Sequence, residues 1–318
     1  MLAVHLENGR VEVRDSPTPS RPERFSLIRL VCGGICNTDL ELQRGYYGFR
    51  GIPGHEFVGE VVESDTAALT GRRVVGEINL ACGGCEYCAR GLGRHCSSRT
   101  VLGIVQHPGA FAEYLTLPDA NLRAVPDDLP TERAVFTEPV AAACEILEQV
   151  RIPVGEPVAV LGDGKLGLLI AQVLAANGLR VSQFGRHLSK LRIAEQAGVQ
   201  TEVLRGALPV RAFEYVVDAT GSAAGLQQAV AMTKPRGTLI AKSTVYGAVP
   251  VDMAAIIVNE ITIVGSRCGL FEPAIELLTS GRVRVDEMIS DHFELADAAG
   301  AFDRAAQNGV LKVLLRAA

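Results

Sequence analysis

Two patterns of apolar and polar positions divide the chain. In residues 1–70, short apolar runs are separated by Gly, Pro and charged residues, which is typical of strands and turns. The first fifteen residues predict two strands joined at Asn8–Gly9, and the segments 25–36 and 55–64 predict two more. Short strands without intervening helices favour an antiparallel, partly barrel-like, mainly β domain.

From Val154 onward, apolar strands alternate with helical segments. Val158–Leu161 is a short apolar run, a glycine-rich turn and a helix follow it, and residues 179–185 predict the next strand. The same alternation continues to about residue 265. Strands that alternate with helices predict an α/β domain with a doubly wound parallel sheet.

Length and composition agree with two soluble domains. A chain of 318 residues with 48% apolar residues can bury two sizeable cores, and its net charge of −5 does not indicate a nucleic-acid or membrane partner. The N-terminus lacks the charge and length pattern of a signal peptide, and no apolar run reaches the ~18 residues of a membrane helix. We therefore expect a cytoplasmic protein whose eight cysteines are reduced.

Four cysteines lie within fifteen residues of one another. Their spacing of two, two and seven intervening residues can close a tetrahedral shell around Zn²⁺, with glycines that allow the sharp wrapping. Because four thiolates leave no open position, the site is predicted to be structural. The alternative is a loop of free thiols or a redox pair. The cysteines are Cys82, Cys85, Cys88 and Cys96.

A second possible metal site combines Cys36, His55 and Glu56. Thiolate, imidazole and carboxylate are all zinc ligands, and three protein ligands leave a fourth position for water or substrate. Such a site is catalytic rather than structural. A lone cysteine and a lone histidine are otherwise more often buried core residues.

The glycine-rich turn predicts a dinucleotide site. Gly162, Gly164 and Gly167 form a GxGxxG pattern between a strand and a helix, with Lys165 and Leu166 in the variable positions. The first glycine makes the turn, the second lets the backbone approach the pyrophosphate, and the third allows close packing of the helix on the strand. The helix N-terminus then faces the phosphates.

The end of the next strand predicts which coenzyme is bound. An NAD-specific site places an acid there for the ribose 2′-hydroxyl, but this chain has Gly185 followed by Arg186. An arginine can pair with a 2′-phosphate, so we expect NADP(H) to be preferred over NAD(H). The alternative is an ordinary surface arginine.

These motifs, in this order, resemble the zinc-dependent medium-chain dehydrogenases of the alcohol dehydrogenase family. The resemblance rests on Gly33-x-x-Cys36-x-Thr38-Asp39, the following Gly-His-Glu, the four-cysteine lobe and the glycine turn. It implies a GroES-like catalytic zinc domain, 1–148 completed by 269–318, and a Rossmann domain, 149–268. Residues 258–267 resemble the strand that closes the second domain in the family.

The resemblance also implies roles for individual residues. Thr38 would relay the alcohol proton, Asp39 would hold His55, and Glu41 stands where many relatives have the outer histidine of the relay. Glu138 occupies the position of a further zinc ligand, and whether it or Glu56 binds the metal stays open. The implied coenzyme contacts also include Thr220, Gly221 and Arg267.

The implied activity is hydride transfer between an alcohol or polyol, or its carbonyl product, and NADP(H), with one catalytic and one structural Zn²⁺. Glu138 resembles the polyol, sugar and threonine dehydrogenase branches. Partners would be a small-molecule substrate and further copies of the chain, as a dimer or tetramer. The alternatives are a zinc-free quinone or enoyl reductase on the same fold and a non-enzymatic NADP-binding protein.

Overall fold

The computed structural model describes residues 1–206, 208–244 and 248–317. The chain folds as two compact units, Met1–Glu138 with Met288–Ala318, and Pro139–Glu287. The sequence places the domain boundaries at 148 and 269 instead, so the extent of each functional domain stays a prediction.

Strands and helices are numbered in chain order. The strands are β1 (Leu2–Glu7), β2 (Arg10–Asp15), β3 (Phe25–Gly34), β4 (Glu56–Glu63), β5 (Arg73–Gly76), β6 (Asn79–Leu80), β7 (Thr100–Leu102), β8 (Gln106–His107), β9 (Tyr114–Pro118), β10 (Leu122–Ala124), β11 (Pro157–Leu161), β12 (Arg180–Gly185), β13 (Gln200–Val203), β14 (Phe213–Asp218), β15 (Thr233–Ala241), β16 (Thr262–Gly265), β17 (Ile289–Glu294) and β18 (Lys312–Arg316). The α-helices are α1 (Asn37–Gln43), α2 (Glu86–Ala89), α3 (Thr131–Ala134), α4 (Thr137–Gln149), α5 (Lys165–Ala176), α6 (Leu188–Glu195), α7 (Ala223–Met232), α8 (Met253–Val258), α9 (Phe271–Thr279) and α10 (Ala298–Ala305). Short 3₁₀ helices are Tyr46–Gly48, Gly93–His95, Asp119–Asn121, Asp286–Met288 and Leu295–Asp297.

The N-terminal hairpin forms as predicted. β1 pairs with β2 in antiparallel register. Asn8 and Gly9 turn the chain with φ angles of 49° and 78°. Both angles are positive, and Asn-Gly is the dipeptide that adopts this two-residue turn most readily.

A mixed seven-stranded sheet forms the centre of the first unit. Its order is β10-β5-β4-β3-β18-β17, and β9 pairs with β3 as well. The last strand of the chain, β18, runs antiparallel to β3, so the C-terminal segment completes the sheet begun near the N-terminus. Apolar side chains on this sheet, including Ile28, Val58 and Leu314, are fully buried. The expected mainly β domain is confirmed.

The second unit contains a six-stranded parallel sheet of order β13-β12-β11-β14-β15-β16. From β11 the chain first adds strands on one side of the sheet and then adds β14 to β16 on the other. In such a sheet a ligand crevice lies where the order reverses, at the carboxyl ends of the strands. The expected doubly wound α/β fold is confirmed, and the glycine turn directly follows β11.

The segment 258–267 differs from its prediction as one strand. Val258 instead ends helix α8, and only Thr262–Gly265 forms strand β16. The helix begins because the carboxylate of Asp252 accepts hydrogen bonds from the backbone N–H groups of Ala254 and Ala255. Among the described residues, no helix is long and apolar enough to cross a membrane.

Candidate metal centres and coenzyme turn

Cys36, His55 and Glu56 are brought together by the pairing of β3 with β4. Cys36 follows the end of β3 and is the N-cap of α1, while Glu56 is the first residue of β4 and lies opposite Gly34. One ligand atom from each of the three residues lies within 4.8 Å of the others. The sequence predicted this set, and the strand register provides its geometry.

Asp39 supports this site through hydrogen bonds to the backbone beside its residues. One carboxylate oxygen accepts the backbone N–H of Cys36 at 2.8 Å, and the other accepts that of Gly54 at 3.2 Å. Asp39 Oδ1 also lies 3.4 Å from His55 Nδ1, a distance longer than a strong hydrogen bond. The carboxylate thereby fixes the backbone on both sides of the metal-binding residues and faces the imidazole.

The negative groups around His55 favour its charged form. Burial alone would lower the pKa of His55, but the negative charges of Asp39 and Cys36 outweigh it and raise that pKa well above its ordinary value. A cation is therefore electrostatically favoured here, and a metal ion on the ring would replace the proton.

Glu56 is paired with a residue that the sequence analysis did not single out. Its Oε2 accepts a hydrogen bond from Lys312 Nζ, and both side chains are almost fully buried. Nζ of Lys312 also lies 5.5 Å from the ring centre of Phe136. Burial lowers the pKa of Lys312, but the charges of Glu56 and Cys36 outweigh it and raise the pKa above its ordinary value.

The remaining carboxylate oxygen of Glu56 makes this set fit a metal ion. Oε1 of Glu56 is buried without a hydrogen-bond partner. A buried, unpaired carboxylate oxygen is costly, and a cation bound to it would remove that cost. Sulfur, imidazole nitrogen and carboxylate oxygen are together a donor set suited to Zn²⁺.

Thr38, Glu41 and Glu138, the other residues predicted to act in catalysis or metal binding, also belong to the first unit. The hydroxyl oxygen of Thr38 is 3.8 Å from Cys36 Sγ. Glu41 is half-buried, and its carboxylate accepts a hydrogen bond from Arg44 at 2.5 Å. Glu138, the second residue of α4, is half-buried and is not one of the three residues whose ligand atoms converge. Their roles stay predictions.

The four predicted structural ligands converge in a second cluster. Their sulfur atoms all lie within 4.8 Å of one another. Helix α2 carries part of the cluster, and Gly83 and Gly91 adopt positive φ angles of 75° and 72° that allow the wrapping. The ligands are Cys82, Cys85, Cys88 and Cys96.

Hydrogen bonds to sulfur prepare this second cluster for a cation. Hydrogen bonds from the backbone N–H and the side chain of Cys88 are the main causes that lower the pKa of Cys85 to about 6, whereas burial is the main cause that raises the pKa of Cys88 to about 11. The backbone N–H of Cys82 also donates to Cys96 Sγ at 3.4 Å. Amide groups that point at sulfur stabilise the thiolate, which is the form that binds zinc.

The glycine turn has the geometry that a dinucleotide requires. Gly162 has a φ of 116°, and a Cβ there would lie 2.5 Å from the carbonyl oxygen of Ala219. A Cβ at Gly167 would lie 2.4 Å from the carbonyl oxygen of Gly162. Gly164, the N-cap of α5, has no heavy atom within 4 Å of its Cβ position. Two glycines are therefore required by close packing, and the third leaves open space for a pyrophosphate beside the helix N-terminus.

The end of β12 contains a contact that the sequence analysis missed. Asp163, inside the glycine turn, accepts the backbone N–H groups of Arg186 and His187 at 2.7 Å and 2.6 Å. The same oxygen, Oδ2, lies 3.0 Å from Nδ1 of His187. Gly185 must be glycine because a Cβ there would lie 2.6 Å from Cβ of Asp163.

The remaining predicted coenzyme residues lie at the carboxyl ends of β14 and β16. Thr220 donates its backbone N–H and its hydroxyl to Oδ1 of Asp218, which orders the turn after β14. The backbone N–H of Gly221 donates to the hydroxyl of Ser243 at 2.8 Å. Two residues beyond β16, the carbonyl oxygen of Arg267 accepts from Lys242 Nζ at 2.9 Å. Contact with a coenzyme stays a prediction for all three.

Lys312 and Asp163 were detectable in the sequence by one signal each. Lys312 is a charged residue within the otherwise apolar run Val310–Leu315. Asp163 is an acid inside a turn that approaches phosphates, where negative charge is unexpected. Neither signal names a partner, since the partners lie 256 and 23 residues away in the sequence.

Comparison with known proteins identifies two family patterns. The alcohol dehydrogenase GroES-like domain matches residues 23–127, and the zinc-binding dehydrogenase domain matches residues 166–280. Among curated proteins, D-altritol 5-dehydrogenase of Agrobacterium fabrum is 33% identical over 249 residues, which is 74% of each chain. Sorbitol dehydrogenase of Halalkalibacterium halodurans is 27% identical, over 96% of each chain.

A solved structure shares the whole architecture. A protein from Sinorhizobium meliloti 1021, described as a zinc-binding dehydrogenase and bound to NADP, superposes with a TM-score of 0.90. It is 29% identical, and the match covers 99% of this chain and 98% of the other.

Proposed function

This chain belongs to the zinc-binding dehydrogenase family with an alcohol dehydrogenase GroES-like domain, and from that premise we propose that it transfers hydride between an alcohol or polyol and NADP(H). The observation that carries the proposal is the set of half-buried Cys36 with buried His55 and Glu56, whose ligand atoms converge and include an unpaired carboxylate oxygen. A dinucleotide turn and a four-cysteine lobe, both in the family order, support it.

Each residue of this site in the first unit would have its own role in catalysis. Cys36 and His55 would hold the catalytic zinc, and Asp39 would keep the imidazole oriented through its position 3.4 Å from Nδ1. The ion supplies Lewis acidity, which lowers the pKa of an alcohol. Thr38 would receive the hydroxyl proton. Glu41, or water, would take that proton onward to solvent.

The carboxylate that completes the ligand set is Glu56 or Glu138. Glu56 has one oxygen free of hydrogen bonds, whereas its other oxygen is bound to Lys312. Glu138 stands where the resemblance places a ligand. Zinc affinities of Glu56→Gln and Glu138→Gln separate the two, because the variant that lacks the ligand should lose about tenfold or more.

The four-cysteine lobe would hold a structural zinc. Four converging sulfurs occupy every position of a tetrahedral shell, so no position is left for a substrate. A cytoplasmic location, which we propose for this chain, would keep these thiols reduced and able to bind zinc.

NADP(H) would be the preferred coenzyme. Arg186 is exposed and lies directly after β12, no acid follows that strand, and the relative from Sinorhizobium meliloti is bound to NADP. Titration with NADPH and NADH tests this preference, and Arg186→Ala should remove most of the difference. Tighter binding of NADH to the unaltered protein would contradict it.

The substrate would be a polyol or a related secondary alcohol. Two relatives are named for polyol substrates, D-altritol and sorbitol. A screen of polyols, simple alcohols and their carbonyl products with NADP⁺ and NADPH tests the proposal. The proposal fails if the zinc-loaded protein binds coenzyme and turns over none of these substrates.

Assembly into a homo-oligomer is part of the proposal. β16 is the last strand of its sheet, so one of its edges is open for pairing among the described residues. Ile263 on β16 is 43% exposed, and Val258 on the preceding helix is 77% exposed. Pairing with a second copy would cover both. Light scattering should show a dimer or tetramer, and Ile263→Lys should shift it toward the monomer.

A further inference from the structure

The carboxylate of Asp163 links the turn for the pyrophosphate to the strand end where a ribose would lie. The turn is already tied to β12 by two other contacts: Gly162 N–H donates to the carbonyl of Phe184, and Gln183 Nε2 donates to the carbonyl of Gly162. Asp163 extends this connection past the strand, to Arg186 and His187.

The negative charge of Asp163 is directed toward donor groups of the protein itself. Two short backbone hydrogen bonds and the ring of His187 all meet Oδ2, and the residue is only 8% exposed. Charge-assisted hydrogen bonds of this length are strong, so they fix the local backbone. These contacts occupy Oδ2, so this oxygen is not available to a ribose hydroxyl.

The contacts of Asp163 leave the cationic side chain of Arg186 available to bind a ligand. Arg186 is exposed, and its guanidinium has no hydrogen-bond or ion-pair partner in the part of the chain that the structure describes. Its backbone, however, is held at 2.7 Å by Asp163. A long flexible side chain binds an anion more tightly when its backbone is already fixed, since less entropy is lost on binding.

We propose that Asp163 is a positioning residue for NADP(H): it fixes the backbone of Arg186 and His187 so that the guanidinium of Arg186 meets the 2′-phosphate. The proposal rests on the proposed coenzyme preference and assigns part of that preference to a residue outside the strand end. It also explains Gly185, because any larger residue there would collide with the Asp163 side chain.

A double-mutant cycle with isothermal titration calorimetry tests this role. The proteins are wild type, Asp163→Asn, Arg186→Ala and the double variant, titrated with NADPH and NADH. Asp163→Asn should raise the Kd for NADPH about tenfold and that for NADH less than about threefold. In the Arg186→Ala background, Asp163→Asn should change both values alike, because the residue through which Asp163 acts is gone.

Two further variants make the result interpretable. Glu202→Gln removes one exposed carboxylate from β13, opposite Phe184, and should leave both Kd values unchanged. Asp163→Ser also removes the charge, and its shorter side chain does not reach the two N–H groups, so it should lose at least as much NADPH affinity as Asp163→Asn. It also supplies the test if the asparagine variant does not fold.

Specific outcomes would overturn the inference. Tighter NADPH binding by Asp163→Asn would show that the carboxylate repels the 2′-phosphate. Equal losses for both coenzymes, with a lower unfolding temperature, would show a purely structural role. The proposed function is judged separately: if wild type prefers NADH while Asp163→Asn still loses NADPH selectively through Arg186, the preference fails and the positioning role stands.

Discussion

The two candidate metal clusters of the first unit differ most in what surrounds them. In the four-cysteine lobe only Cys96 is buried, and helix α2 has no buried residue. The mixed cluster consists of Cys36, His55 and Glu56. Its Cys36 is half-buried, whereas His55, Glu56 and the neighbouring Asp39 are nearly inaccessible, at 3%, 1% and 0% exposed. The four-cysteine lobe is an exposed loop with few buried side chains, and the mixed cluster lies beside paired strands of the sheet.

A zinc ion would therefore have a structural role in the four-cysteine lobe and a catalytic role in the mixed cluster. The lobe has little apolar surface to bury, so zinc binding would supply its folding free energy. The mixed cluster is held by strand pairing, by Asp39 and by Lys312, and these contacts are made between protein groups alone. A position for a substrate can therefore stay open there without loss of structure.

Metal removal should have the largest effect, and it should fall on the lobe. Structural zinc sites contribute about 10–16 kcal/mol of apparent binding free energy, which the lobe would lose with a strong chelator. Hydrogen exchange should then become fast across residues 82–96, and trypsin should cut after the exposed Arg90. Strands β3 and β4 should keep their protection, and an equal loss in those strands would contradict the comparison.

Removal of the buried Lys312 ammonium group beside Glu56 should have the next largest effect. Lys312→Met leaves a buried carboxylate without its partner, which costs about 3–5 kcal/mol of the free energy of unfolding. Denaturant titration of the zinc-loaded protein measures this loss. The matched control is Arg304→Met, which breaks an ion pair with Asp291 whose side chains are 39% and 37% exposed. That control should cost no more than about 1 kcal/mol, and similar losses in both variants would show that burial of the Glu56–Lys312 pair is unimportant.

Asp39→Asn should weaken the mixed cluster selectively. Loss of the carboxylate that faces a ligating histidine typically reduces metal affinity about 10–100-fold. Competition with a chromogenic chelator should resolve one weakened zinc and one unchanged zinc. Asp65→Asn, at an exposed carboxylate paired with Arg21, is the control and should leave both unchanged. If Asp39→Asn weakens both sites alike, Asp39 acts on the fold rather than on His55.

The smallest effect is expected for a side-chain contact within the lobe. Glu86 and Arg90 form an ion pair at 3.4 Å with side chains 78% and 60% exposed. Glu86→Gln should change the free energy of unfolding by less than about 0.5 kcal/mol and leave the exchange rates of residues 82–96 unchanged. A large change would mean that side-chain contacts, rather than the metal, hold the lobe.

The sequence predicted the parts of the molecule whose causes are local. The four cysteines, the Asn8–Gly9 turn and the glycine turn each lie in short segments whose residue types and spacing allow few alternatives. Alternation of strands and helices was likewise enough to predict the parallel sheet, which the structure confirms.

The parts that the sequence did not predict depend on distant pairing. Lys312 meets Glu56 only because β18 pairs with β3, and β3 pairs with β4. Asp163 reaches Arg186 only because β11 and β12 are neighbours in parallel register. Val258, the last residue of α8, was assigned to the following strand because an apolar residue there suits either structure, and the Asp252 cap was overlooked.

Zinc content measured together with turnover in Cys36→Ala is the most direct test that the mixed cluster is the catalytic metal site. Wild type should hold about two zinc ions per chain. Cys36→Ala should hold about one, keep the exchange protection of residues 82–96, and lose on the order of a thousandfold in kcat/KM. A variant that retains both ions, or that retains wild-type turnover with one ion, would contradict the account.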